Sequence, residues 1–269
     1  MVSIDNLTVS YRQHPALHHI SGRFAPGSLT AVIGPNGSGK STLLKSIMGL
    51  LRASGGRVSV STPISRVAYL PQVTEIERSF PLSVRDCVLL GCWSAVGAWG
   101  GVNAALQQRI HNAIGSVGLD GFEQRAVGSL SSGQFQRVLF ARMLVQDADL
   151  ILLDEPFNAI DSRTTAALLD LIGQWHAQGR TVIAVLHDDA QVRAHFEQSV
   201  LLARELVAWG DTVQVLTEPK LQRAKLLAEA WDDNADICHT DKASSEAPRA
   251  DAAAKPPSNT AAVDLHGAV

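Results

Sequence analysis

The chain of 269 residues has only three cysteines, Cys87, Cys92 and Cys238. The number is odd and too small for a disulfide scaffold, which points to a reducing compartment. Excess positive charge is also lacking. Lys and Arg total 23 against 26 Asp and Glu, a formal net charge of −3, so no global basic field exists to hold nucleic acid and no nucleic-acid partner is expected. Residues 1–6 contain no basic stretch leading into an apolar run, so no signal peptide is expected. No internal repeat is visible. Apolar residues make up 46% of the chain and charged residues 18%, enough for a sizeable core in one large α/β domain or two small ones.

Uncharged runs of about twenty residues are absent apart from residues 87–106, whose only ionisable groups are thiols. That stretch is about long enough to cross a bilayer. Gly91, Gly97, Gly100 and Gly101 interrupt it, Asn103 lies within it, and soluble patterns flank it. We therefore read it as an apolar docking surface carrying Trp93 and Trp99, with the more ordered part at 85–93.

Short β-type runs at 4–9, 29–33, 66–70, 150–153, 181–186, 199–202 and 206–209 alternate with helical stretches at 40–51, 131–146, 163–178 and 219–231. This alternation predicts an α/β fold, a parallel sheet flanked by helices. Residues 71–129 show no clear strand and read as an insertion. From residue 241 the composition turns to Ala, Pro, Ser and scattered charge, so residues 241–269 are expected to be a disordered tail.

Three motifs carry chemistry. Gly34-Pro35-Asn36-Gly37-Ser38-Gly39-Lys40-Ser41, followed by Thr42, fits G-x-x-x-x-G-K-[ST] between a strand and a helix. Its glycines let backbone N–H groups wrap phosphates, and the helix start adds positive potential. Lys40 would reach the β- and γ-phosphates of ATP, and Ser41 would ligate Mg²⁺. The run 150–153 delivers Asp154 and Glu155 to the end of a buried strand, the first as a Mg²⁺ ligand and the second as general base. Ser131-Ser132-Gly133-Gln134 opens the third helical run with the S-x-x-Q pattern of a capping box, and its helix start could hold a second phosphate.

In this order the motifs resemble the ATP-binding subunit of an ABC transporter over about residues 1–231. The resemblance implies a P-loop NTPase (RecA-like) core, an antiparallel β part near the N-terminus and a helical subdomain inserted at about 73–140, within a nucleotide-binding domain of residues 1–240. It implies that Tyr11 stacks on adenine, that Gln72 touches Mg²⁺ and senses a membrane subunit, and that His187 is the switch histidine. Residues 130–134 match the signature motif, and Asn158, Ala159, Ile160 and Asp161 match the D-loop. Ser132 stands where the family usually has Gly, and Asn158 where it usually has Ser.

Ser79-Phe80-Pro81-Leu82-Ser83-Val84-Arg85-Asp86, then Leu89, Leu90, Gly91 and Trp93, resemble the divalent-metal importers of the family. Zinc is the first choice of cargo, manganese the second, and an iron chelate the next neighbour. A homodimer is implied, working with permease subunits at the cytoplasmic face of the inner membrane and indirectly with an extracytoplasmic metal-binding protein. His14, His18 and His19 have no nearby Cys or carboxylate in the sequence and are read as surface histidines.

Overall fold

The computed structural model describes residues 1–230, apart from 12–13, 73–75, 98–100 and 159. Trp99 and the expected tail at 241–269 lie outside the described residues. The chain opens with strands β1 (Val2–Tyr11) and β2 (His14–Phe24), then β3 (Leu29–Ile33), helix α1 (Lys40–Ile47), β4 (Gly55–Val60) and β5 (Val67–Leu70). Helices α2 (Val84–Leu89), α3 (Trp93–Val96), α4 (Ala104–Ser116) and α5 (Ser132–Gln146) follow before β6 (Leu150–Asp154). The rest runs α6 (Ser162–Ala177), β7 (Thr181–Val185), α7 (Asp189–His195), β8 (Gln198–Ala203), β9 (Glu205–Asp211), α8 (Thr212–Val215) and α9 (Glu218–Glu229).

Two sheets form. β2-β1-β4 is antiparallel, and β5-β6-β7-β3-β8-β9 is parallel except for its last pair, β8 with β9. Strands β3, β6 and β7 are apolar at nearly every position because both faces of the central sheet are covered. Their alternation still sorts the side chains. Leu29, Ala31, Ile33, Ile151, Leu153, Val182 and Ala184 face the helices, while Val32, Leu150, Leu152, Ile183 and Val185 face the antiparallel sheet. Helix α1 packs in this second layer, where Leu43, Leu44 and Ile47 meet Leu7, Leu17 and Ile20.

Between β5 and β6 the described residues hold helices and a single isolated bridge, Ser83 with Ala126. Here the uncharged run divides. Cys87, Val88, Gly91 and Cys92 are buried against α5, whereas Leu90 and Trp93 are exposed. The expectation of one continuous docking surface is thus corrected, because α2 turns one face to the core. No helix among the described residues is long and apolar enough to cross a membrane.

Candidate functional site

The parallel register sets the carboxyl ends of β3, β6 and β7 level. Asp154 pairs with Val185, and the Leu186 N–H donates to the Val32 carbonyl. Three loops therefore leave the sheet side by side, the arrangement that places ligands at strand ends in such folds. The first is the glycine-rich loop. Gly34 has φ +148°, and a Cβ there would collide with the Leu202 carbonyl. Gly39, with φ +91°, caps α1 from the left-handed region, and its Cβ would strike the Ala16 carbonyl. Neither position tolerates a side chain.

Lys40 is buried, and its Nζ donates to the carbonyls of Gly34 at 2.9 Å and Pro35 at 2.8 Å, so it spans the mouth of its own loop. Burial lowers its pKa, partly offset by the charges of Glu155 and Asp154. An ammonium held in such a place gains from a polyanion. Ser41 Oγ donates to Asp154 Oδ1 at 2.9 Å and accepts from Gln72 Nε2 at 3.3 Å. Hydroxyl, carboxylate and amide oxygen are the hard donors that Mg²⁺ takes, usually with several waters retained, so this set fits that ion.

Glu155 follows β6 with φ +51°, a left-handed conformation uncommon for a residue with a side chain. The turn brings Oε1 within 2.8 Å of His187 Nε2, which follows β7 by two residues. That contact is a hydrogen bond with a neutral imidazole and an ion pair with a charged one. A cavity of about 680 Å³ gathers Tyr11, Asn36 to Thr42, Gln72, Glu155, Asn158 and His187. Of the residues singled out in the sequence, Gly34 and Pro35 lie behind this cavity, contributing the carbonyls that hold Lys40.

Ser131, Ser132, Gly133 and Gln134 do not line it. They start α5 with the capping box, Gln134 N–H donating to Ser131 Oγ at 3.2 Å and Ser131 N–H to Gln134 Oε1 at 3.0 Å. Ser131 and Ser132 are exposed. Asp161 caps α6, accepting from the Thr164 N–H at 2.9 Å.

Sequence reasoning missed Gln136. It is buried in α5, and its Nε2 donates to the Pro156 carbonyl at 2.8 Å, in the turn that presents Glu155. The available signal was an amide on the apolar face of a helix, between Phe135 and Val138. His18 Nδ1 lies 3.4 Å from Glu205 Oε1, and His19 Nδ1 lies 2.6 Å from Asn6 Oδ1.

Residues 17–158 match the ABC transporter family. The chain belongs to that family and is an ATP-binding cassette ATPase. It is 40% identical to the manganese transport system ATP-binding protein MntB of Listeria monocytogenes, over 83% of this chain and 95% of that one. Identity to the zinc transport system ATP-binding protein TroB of Treponema pallidum is 42%, over 83% of this chain and 86% of the other. Among solved structures, a metal-chelate type ABC transporter in an inward-facing conformation superposes with a TM-score of 0.74 at 30% identity, covering 84% of this cassette and 88% of that chain.

Proposed function

We propose that this cassette drives import of a divalent transition metal, zinc or manganese, by binding and hydrolysing Mg²⁺-ATP. The observation that carries the hydrolytic part is the meeting of Lys40, Ser41, Gln72, Glu155 and His187 around one cavity. Tyr11 would take the adenine face, the loop and Lys40 the phosphates, and Ser41, Asp154 and Gln72 the Mg²⁺. Bound Mg²⁺ would neutralise charge developing on the phosphates. Glu155 would accept a proton from the attacking water, with His187 orienting the carboxylate. Because residues 131–134 lie outside this cavity, a second copy of the chain would supply them, as the family resemblance implies.

The metal rests on the relatives. Relatives similar to this chain are named for manganese and for zinc transport, and the metal-chelate type transporter keeps a chelated metal as the second reading. Exposed Phe80, Leu90 and Trp93 supply apolar contact area suited to a permease at the cytoplasmic membrane face.

The test is Glu155→Gln. It removes the base and keeps the phosphate and Mg²⁺ contacts, so hydrolysis should fall by about 10²–10⁴ while ATP binding persists. In cells carrying the variant, uptake of labelled zinc and labelled manganese should be compared side by side. Loss of one identifies the cargo. Unchanged uptake of both, with hydrolysis abolished, refutes the metal reading.

A further inference from the structure

Glu155 is held at both oxygens. Oε1 faces His187 Nε2 at 2.8 Å, and Oε2 accepts a hydrogen bond from Asn158 Nδ2 at 3.3 Å. The backbone closes the same turn, with the Asn158 N–H donating to the Glu155 carbonyl at 3.3 Å. The terminal torsion of a glutamate is broad, so one contact leaves the carboxylate plane free to rotate. Two donors on opposite oxygens fix it. A general base works only when its acceptor oxygen is aimed at the proton it takes.

We propose that Asn158 is a positioning residue for Glu155, acting within its own chain by donating to the second carboxylate oxygen. The proposal rests on the reading of Glu155 as the base. It assigns Asn158 a donor function and not merely a size. A serine hydroxyl, the group the family resemblance leads one to expect at 158, ends one bond short of Nδ2 and would not span a separation already at 3.3 Å. An aspartate has the shape of asparagine but, when ionised, only accepts hydrogen bonds, and it would set one carboxylate against another. Asn158 is exposed, so its replacement leaves the core untouched.

The experiment compares the full-length chain with Asn158→Ala, Asn158→Asp and Asn158→Gln, each with and without Glu155→Gln. Loss of a hydrogen bond to a charged group predicts that Asn158→Ala lowers kcat roughly tenfold with KM for ATP unchanged. Asn158→Asp should lose more despite its matching size, and Asn158→Gln, which keeps an amide donor, should recover part of the rate. In the Glu155→Gln background, Asn158→Ala should cause no further loss of rate. ATP-driven dimerisation of that double variant, followed by light scattering, should equal that of Glu155→Gln alone. An Asn158→Asp rate equal to wild type would overturn the proposal, as would an effect on KM instead of kcat. Loss of ATP-driven dimerisation would overturn it too, placing the role of Asn158 across the subunit interface. If Glu155→Gln hydrolyses ATP at the wild-type rate, the role of Glu155 falls and this proposal with it. A defect in Glu155→Gln with none in the Asn158 variants overturns the proposal alone.

Discussion

Gln136→Leu should separate activity from stability. The Gln136 side chain is 1% exposed, its Nε2 holds the Pro156 carbonyl at 2.8 Å, and its Oε1 has no hydrogen-bond partner among the described residues. Burying that orphan acceptor costs about 1–3 kcal/mol. Leucine removes the cost but strands the Pro156 carbonyl, a loss of about 1–3 kcal/mol in the opposite direction. Leucine and glutamine are similar helix formers, so stability should change by less than about 1 kcal/mol, or roughly 2–4 °C in melting temperature for a chain of this size. The turn carrying Glu155 loses its tether to α5 all the same. A neutral hydrogen bond is worth about 0.5–1.5 kcal/mol, which corresponds to roughly a two- to tenfold fall in kcat. Hydrolysis rate and thermal melting measured on one preparation decide the matter. An unchanged kcat refutes the tether. A drop of more than about 10 °C would instead make Gln136 a packing residue, as would be expected of a variant that opens a cavity.

Trp93→Asp should leave the isolated cassette folded and binding ATP, because the indole is 60% exposed. If the permease covers it, an unpaired carboxylate buried there should cost several kcal/mol of association, and co-purification with the permease should fail; retained co-purification refutes docking at this residue. Asp149→Asn tests the ion-pair network on the side of the sheet away from the site. Arg66 donates to both carboxylate oxygens of Asp149, at 2.9 and 2.6 Å, and holds its pKa below the ordinary value. A depressed carboxylate stabilises the fold above its unfolded pKa of about 4 and loses that contribution as pH falls through the native value. With both partners well exposed and screened by solvent, the substitution should cost about 1 kcal/mol or less at pH 7, and the gap to wild type should close in acid. Urea midpoints at pH 7 and pH 3 check this, and an equal gap at both refutes it.

The central sheet was legible because burial on both faces writes continuous apolar strands, and 29–33 and 150–153 stand out without any partner in view. Strands β2 and β4 were not. β2 reaches the core through Leu17, Ile20 and Phe24, a spacing that register shifts against β1 pull away from strict alternation. β4 begins Gly55-Gly56, so its alternating signal is confined to Val58 and Val60 around Ser59, too short to stand out. Helix α4 buries Ile110, Ala113 and Ile114 along an otherwise polar surface, which made its stretch read as helical or irregular.

The candidate site divides along the same line. Gly34, Gly39, Lys40, Ser41 and Asp154 could be read because their chemistry depends on spacing along one strand–helix junction or one strand end. The contacts of Asn158 and Gln136 could not, since they form at the turn of the left-handed Glu155, a conformation that no residue pattern announces outside glycine. That turn receives Gln136 from α5, His187 from the end of β7 and Asn158 from its own continuation. The helix that starts with Ser132 is thus tied to the turn that presents Glu155, although its first residues lie outside the Glu155 cavity. This is why the sequence, read motif by motif, separates two groups of residues that the fold joins by one buried amide.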